Sequence, residues 1–229
     1  MTLFKKIIIL VLILALPGFL YYLLAGYGKN TYKSLPIFGP KIVAKTTHKV
    51  GHKNVPDTIY HQLTDFNLKD QDGRPVSLKT LDKKIFVVNF FYSHCQVCNP
   101  INANIDSLAG NFAKNKLVYF VTITVDPMRD TVGALRGYVN RLKPTTPNWL
   151  FLTGDTSTIY NFARKGLLVD ALQNGKDNFI YSNKLILVDG ERRIRGYYSG
   201  IFIDDVVRLN DEIKVLLSEE INRNDKPLY

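Results

Sequence analysis

Cysteine is scarce in this chain of 229 residues: there are two, Cys95 and Cys98. A structural zinc site generally takes four protein ligands, so two thiols alone do not build one. Histidine is absent beyond residue 94, the four being His48, His52, His61 and His94. No imidazole therefore follows the cysteine pair in the sequence. Charge is absent from residues 7–28, and no cysteine follows that apolar run to carry a lipid. The net charge is +10, yet its lysines and arginines are scattered, with no tight basic cluster and no stacking motif. That pattern reads as a solvated basic surface near a membrane and gives no indication of nucleic acid. No internal repeat is visible.

What is present is a concentrated piece of chemistry. Ile85-Phe86-Val87-Val88-Asn89-Phe90-Phe91-Tyr92 is β-branched or aromatic almost throughout and predicts a buried strand. Cys95-Gln96-Val97-Cys98 comes directly after it, and Ile101, Ile105, Leu108 and Phe112 then recur at helical spacing. The pair is thus expected at a strand-to-helix turn, where free backbone N–H groups and the helix dipole stabilise a thiolate. Such a setting is that of a thioredoxin-type redox centre. A two-residue spacing closes too small a loop to constrain the unfolded chain much, which counts against a purely structural disulfide.

About 20 apolar residues span a bilayer core, and residues 7–28 reach that length. The expectation is a retained transmembrane helix, with Pro17 inside it and Tyr21, Tyr22 and Tyr27 as an aromatic belt at its far end. A signal peptide cleaved near Ala25-Gly26 is the competing reading. Lys5 and Lys6 before the segment nearly balance Lys29 and Lys33 after it, so orientation rests on the CxxC pair, which suits a domain outside the cytoplasm. The expected organisation is a tail and anchor over residues 1–28, a juxtamembrane tether over 29–55, a thioredoxin-like domain over 56–221 and a short tail over 222–229. The tether is rich in Gly, Pro, Lys and Thr and is expected to lack regular structure.

Within the domain, a strand over residues 60–67, a hairpin turn at Asp72-Gly73, a second buried strand over 116–125 and a helix through Leu135, Tyr138, Val139 and Leu142 are expected. A short strand at Trp149, a helix over 157–165, a terminal hairpin through Asp189-Gly190 and an amphipathic helix over 204–221 follow. That last helix is expected to turn Val207, Leu209, Ile213, Leu216 and Leu217 inward. Strands alternating with helices predict an α/β fold with a central mixed sheet flanked by helices.

Several segments, LPIFGPK, DFNLKDQDGRPVSL, NFFYSHCQVC, TVDPMRDTVGALRGYV, NWLFLTGD and LILVDGERRIRGYYSG, make the chain resemble the SCO/SenC family of membrane-anchored, thioredoxin-like proteins. The resemblance implies a copper chaperone or thiol-disulfide oxidoreductase that helps assemble the copper centre of respiratory cytochrome oxidase. It implies copper held by two cysteines and a later histidine, and a cysteine-containing copper-site or respiratory assembly protein as partner. Two departures stand out. The family's cysteines are usually separated by three residues and followed by proline, whereas Cys95 and Cys98 are separated by two and Pro100 is displaced by Asn99. Tyr181 stands where the family has its histidine.

A soft site of two thiolates and an imidazole would have to recruit another ring, and His94, beside Cys95, is the candidate; His48 and His52 lie in the tether. His94 reads equally as an ordinary turn histidine or as a group that lowers the Cys95 pKa. The resemblance places Asp126 and Asp130 near the site, and Asp130-Thr131 also reads as a helix cap, the reading favoured for Asp130. Tyr181 reads as packing or as a hydrogen-bonded phenol, and the stretch near Ser182 has no proline to match the cis-proline of many thioredoxin-like oxidoreductases. The expected function is thiol-disulfide exchange outside the cytoplasm, Cys95 attacking and Cys98 resolving. A Cu(I) chaperone using Cys95, Cys98 and His94, with copper as the candidate cofactor, is one alternative. A non-catalytic assembly module is the other.

Overall fold

The apolar run before the cysteines becomes the middle of a five-stranded sheet. A computed structural model of the chain describes residues 3–27, 34–50, 53–95, 98–173 and 179–224. In chain order its elements are α1 (Leu3–Tyr27), β1 (Lys41–Val50), β2 (Lys53–Tyr60), β3 (Leu68–Lys69), β4 (Pro75–Val76), β5 (Ile85–Phe91) and α2 (Asn99–Asn111). They continue with β6 (Val118–Thr124), α3 (Val132–Leu142), β7 (Trp149–Leu152) and α4 (Thr156–Asn161), which runs into a π-helical turn at Phe162–Gly166. The chain closes with β8 (Ala171–Gln173), β9 (Phe179–Tyr181), β10 (Lys184–Val188), β11 (Ile194–Ser199) and α5 (Ile203–Asn224). Contacts divide the chain into two units, Met1–Ser34 and Leu35–Tyr229.

In the first unit α1 is a helix of 25 residues with Pro17 inside it. Among the described residues no helix is long and apolar enough to cross a membrane. The side chains at positions 3, 7–9, 12, 14 and 24–27 of α1 lie outside those residues.

The second unit is built on the sheet of order β11-β10-β5-β6-β7. β5, β6 and β7 run parallel, while β10 is antiparallel to both β5 and β11. Every residue of β5 is buried, because helices and loops cover both faces, and this is why the strand reads as an unbroken apolar run. Phe86, Val88 and Phe90 point into one core with Leu63, Phe66 and Phe162; Ile85, Val87 and Phe91 point into the other with Ile105, Leu108, Trp149, Leu209 and Ile213. Burying side chains of this size contributes about 1.5–3 kcal/mol each.

The turn at Asp72-Gly73 is present between β3 and β4, with Gly73 at φ 81°, the left-handed backbone such a turn favours in glycine. The strand expected over residues 60–67 is not: β2 ends at Tyr60, and Leu68–Lys69 is the strand that pairs. On α5, Leu209, Ile213 and Leu216 are buried and Leu217 is partly so, but Val207 points to solvent at 55% exposure.

The segment expected to lack regular structure carries an antiparallel ribbon, β1 against β2, with Ile42 opposite Ile59 and Val43 opposite Thr58. Its β-branched Ile, Val and Thr residues pair well despite the Gly, Pro and Lys around them. Just ahead of it, residues 35–38 are laid against the hairpin. The Phe38 amide donates to Ile194 O at 2.9 Å, and Arg195 donates through Nη2 to Leu35 O (2.8 Å) and through Nε to Pro36 O (3.2 Å). Arg195 is 2% exposed and is ion-paired with Asp189 (2.9 Å) and Glu219 (3.0 Å). A buried guanidinium with donors in a fixed fork captures carbonyls that would otherwise face water.

Candidate redox site

Parallel β5 and β6 end at the same edge of the sheet, and the chemistry collects there. Beyond β5 the chain turns through Ser93 and His94 to Cys95, whose amide donates back to Tyr92 O at 3.0 Å. Cys98 is the N-cap residue of α2, and Pro100 sits in the first turn, where its missing N–H costs nothing. Ile101, Ile105 and Leu108 fix the helix to the core. Cys95 and Cys98 are joined by a disulfide and are 6% and 3% exposed.

The third component arrives from far along the chain. Because β10 runs antiparallel to β5, with Ile186 opposite Val88 and Val188 opposite Phe86, the residues preceding β10 emerge where β5 ends. Tyr181, the last residue of β9, is brought there. Its hydroxyl lies 3.3 Å from Cys95 Sγ and 3.2 Å from Cys98 Sγ. Its ring stands edge-on to Tyr92 at 5.9 Å, and Phe179 packs on Tyr92 at 5.3 Å. Burial, with a smaller effect of Tyr92, pushes the Tyr181 phenol up to about 12. At neutral pH the group is an O–H donor.

Asp130 follows β6 and is fully buried. It accepts hydrogen bonds from the Ser93 amide (3.0 Å), the Ser93 hydroxyl and the Thr124 hydroxyl (2.5 Å). It is not the helix cap: Thr131 is, accepting from the Ala134 amide at 3.4 Å. Asp130 instead ties the turn before Cys95 to the end of β6. Asp126, also buried, faces Arg129 at 3.6 Å, and its amide donates to Thr124 Oγ1 at 3.0 Å.

His94 is exposed, with Nδ1 3.1 Å from Ser93 Oγ. His61 holds Gly166 O at 2.7 Å through Nε2. The side chains of His48 and His52 lie outside the described residues. Among the described residues no group of three or more His, Cys, Asp or Glu is placed to hold a metal ion. Among the described residues, therefore, no imidazole joins the two sulfurs to complete a three-ligand copper site at this edge of the sheet. The position facing both sulfurs is taken by a protonated phenol, a hard oxygen donor unsuited to a soft ion.

The arrangement defines a class: a thioredoxin-like protein with a buried dithiol/disulfide at a helix N-terminus. The SCO1/SenC family model matches residues 57–216. The chain belongs to the SCO1/SenC family. The SCO1 protein homolog of Bacillus subtilis is 27% identical over 155 residues, which is 66% of this chain and 80% of that one. The solved structure of BsSco, described as a member of the Sco family of cytochrome c oxidase assembly proteins with a disulfide switch, is 25% identical. It superposes with a TM-score of 0.61 over 68% of this chain and 93% of its own. Arabidopsis thaliana ScoI, solved with copper bound, is 26% identical, with a TM-score of 0.57 over 70% of this chain and 98% of that chain.

Tyr181 was the site residue whose role was hardest to read. No periodicity places a residue beside another 86 positions earlier. The usable signal was the family resemblance, which sets Tyr181 where a ligand stands and so near the sulfurs, without saying what a phenol does there. Ser93 gave no signal; its importance comes from its bonds to Asp130.

Proposed function

We propose that the chain is a thiol-disulfide exchange protein that supports assembly of the copper centre of a respiratory oxidase. The observation that carries this reading is the Cys95–Cys98 disulfide at the start of α2, faced by the Tyr181 hydroxyl instead of an imidazole. In this reading Cys95, the slightly more exposed residue of the pair, exchanges with a cysteine of the partner and Cys98 resolves the mixed disulfide. Asp130 holds the turn through Ser93, and His94 takes no part as a ligand. Membership of the Sco family by BsSco, an oxidase assembly protein, supports the choice of process.

A second reading, in which the two thiolates carry Cu(I) as cargo, is favoured by the copper bound to the Arabidopsis relative. Titrating the reduced full chain with Cu(I) against a competing chelator separates the two. Exchange as the function predicts no tight one-to-one complex. Tight binding that is lost in Cys95→Ser and survives Tyr181→Phe would move the assignment to a copper chaperone.

We also propose that α1 anchors the chain in a membrane and that the second unit lies on its extracytoplasmic side. Support comes from the 25-residue helix, from the absence of charge over residues 7–28 and from a disulfide, which persists in oxidising compartments. After an alkaline wash of membranes the full chain is expected in the pellet; its release into the supernatant would contradict the anchor.

A further inference from the structure

We propose that the Tyr181 phenol is a catalytic hydrogen-bond donor that stabilises whichever thiolate leaves during exchange at Cys95 and Cys98. The proposal rests on the exchange reading and deepens it by naming the group that accommodates the developing charge.

Both cysteine residues are more than nine-tenths buried, so a thiolate released there is poorly solvated by water. The start of α2 supplies backbone N–H groups and dipole on one side, and Cys98 has no side-chain cap to compete for them. The Tyr181 hydroxyl lies at nearly equal distance from the two sulfurs, 3.3 and 3.2 Å. That equality matters because exchange with a partner dithiol has two departures.

In the first, a partner thiolate attacks Cys95 Sγ. A new S–S bond forms, the Cys95–Cys98 bond breaks, and its electron pair leaves on Cys98 Sγ. In the second, the partner's other thiolate attacks the first partner sulfur, and the pair leaves on Cys95 Sγ. The partner ends as a disulfide, oxidised by two electrons, and the chain ends as a dithiol. The two protons lost by the partner's thiols go to Cys95 and Cys98. One donor placed between the sulfurs serves both departures by rotating its O–H, with no movement of the ring. Tyr92 holds that ring edge-on, and the hydroxyl keeps its proton throughout the neutral range, since burial raises its pKa to about 12.

The test compares the full chain in detergent with its Tyr181→Phe variant, which keeps the ring and removes the donor. Hydrogen bonds to charged groups are strong enough to lower an acid's pKa by about one unit. The variant's cysteine pKa, read from the pH profile of alkylation of the reduced chain, should therefore rise by about one unit. A tenfold weaker stabilisation of the reduced form lowers the reduction potential by about 30 mV. With a half-power dependence on thiol acidity, reduction of the disulfide by dithiothreitol should slow about threefold. Equal pKa, potential and rate in the two proteins would overturn the proposal, and so would faster reduction of the variant, since the phenol would then be a shield. A wild-type disulfide that cannot be cycled would instead remove the exchange reading beneath it, a failure seen before any variant is compared.

Discussion

Cys98→Ser, mixed in reduced form with a disulfide-bonded partner, is expected to accumulate as a mixed disulfide through Cys95, whereas Cys95→Ser should form none. The asymmetry follows from position. Cys95 ends the loop that leaves β5 and is the more exposed of the pair, while Cys98 is the N-cap of α2, packed against the core at 3% exposure. In the wild type, the resolving attack by Cys98 is intramolecular and needs no encounter, so the mixed disulfide is short-lived. Replacing the sulfur with oxygen removes the nucleophile, and the lifetime should lengthen by more than about a hundredfold. Non-reducing electrophoresis of acid-quenched mixtures reads the adduct directly. Trapping by Cys95→Ser and not by Cys98→Ser would reverse the assigned roles.

Arg195→Met is expected to lower the stability of the second unit by about 3–5 kcal/mol. Arg195 is buried at 2% exposure, and its pairing with Asp189, itself fully buried, is desolvated on both sides. Its removal leaves Asp189 to Arg193 alone, takes the ion pair from Glu219 and strips donors from Leu35 O and Pro36 O. Lys214→Met is the control. Its partner Asp211 lies at the surface with it, at 66% and 59% side-chain exposure, and water screens the pair, so no measurable change is expected. Denaturant unfolding of both variants measures the difference. The Arg195 variant should also expose the stretch at Leu35 and Pro36 to proteolysis before global unfolding, because that arginine fastens their carbonyls. A loss equal to that of Lys214→Met would show that the cluster is not what fixes this segment.

The centre of the fold was legible because its signals are local. β5, its turn and α2 follow from one apolar run, one cysteine pair and one helical stripe, and all three stand where the pattern put them. The terminal hairpin followed from Asp189-Gly190 between two apolar runs, and the edge strand from Trp149. Other features depend on contacts that composition does not carry. The β1–β2 ribbon was hidden by its Pro and Lys content, since strand pairing rewards the residue opposite and not the residue alone. The Arg195 cluster joins residues about 160 positions apart, and nothing in an arginine on a short strand announces that it is buried. Val207 fell in the apolar set of α5 by type, yet the stripe that meets the core is the narrower one through Leu209, Ile213 and Leu216.

The site divides in the same way. Cys95 and Cys98 were named by spacing and strand–turn–helix context. Asp130 was placed near them, but its reading as a helix cap gave way to Thr131, because the carboxylate is turned inward to Ser93 and Thr124. His94 adjoins Cys95 in sequence, and adjacency along a turn sent its ring outward to Ser93.

The most direct test is a redox titration of the full chain in detergent, poised in dithiothreitol and glutathione buffers and read by thiol labelling. Exchange as the function predicts a two-electron transition between about −300 and −120 mV, the range in which working dithiols are found. A disulfide still intact well below about −300 mV would behave as a structural crosslink and would contradict the account.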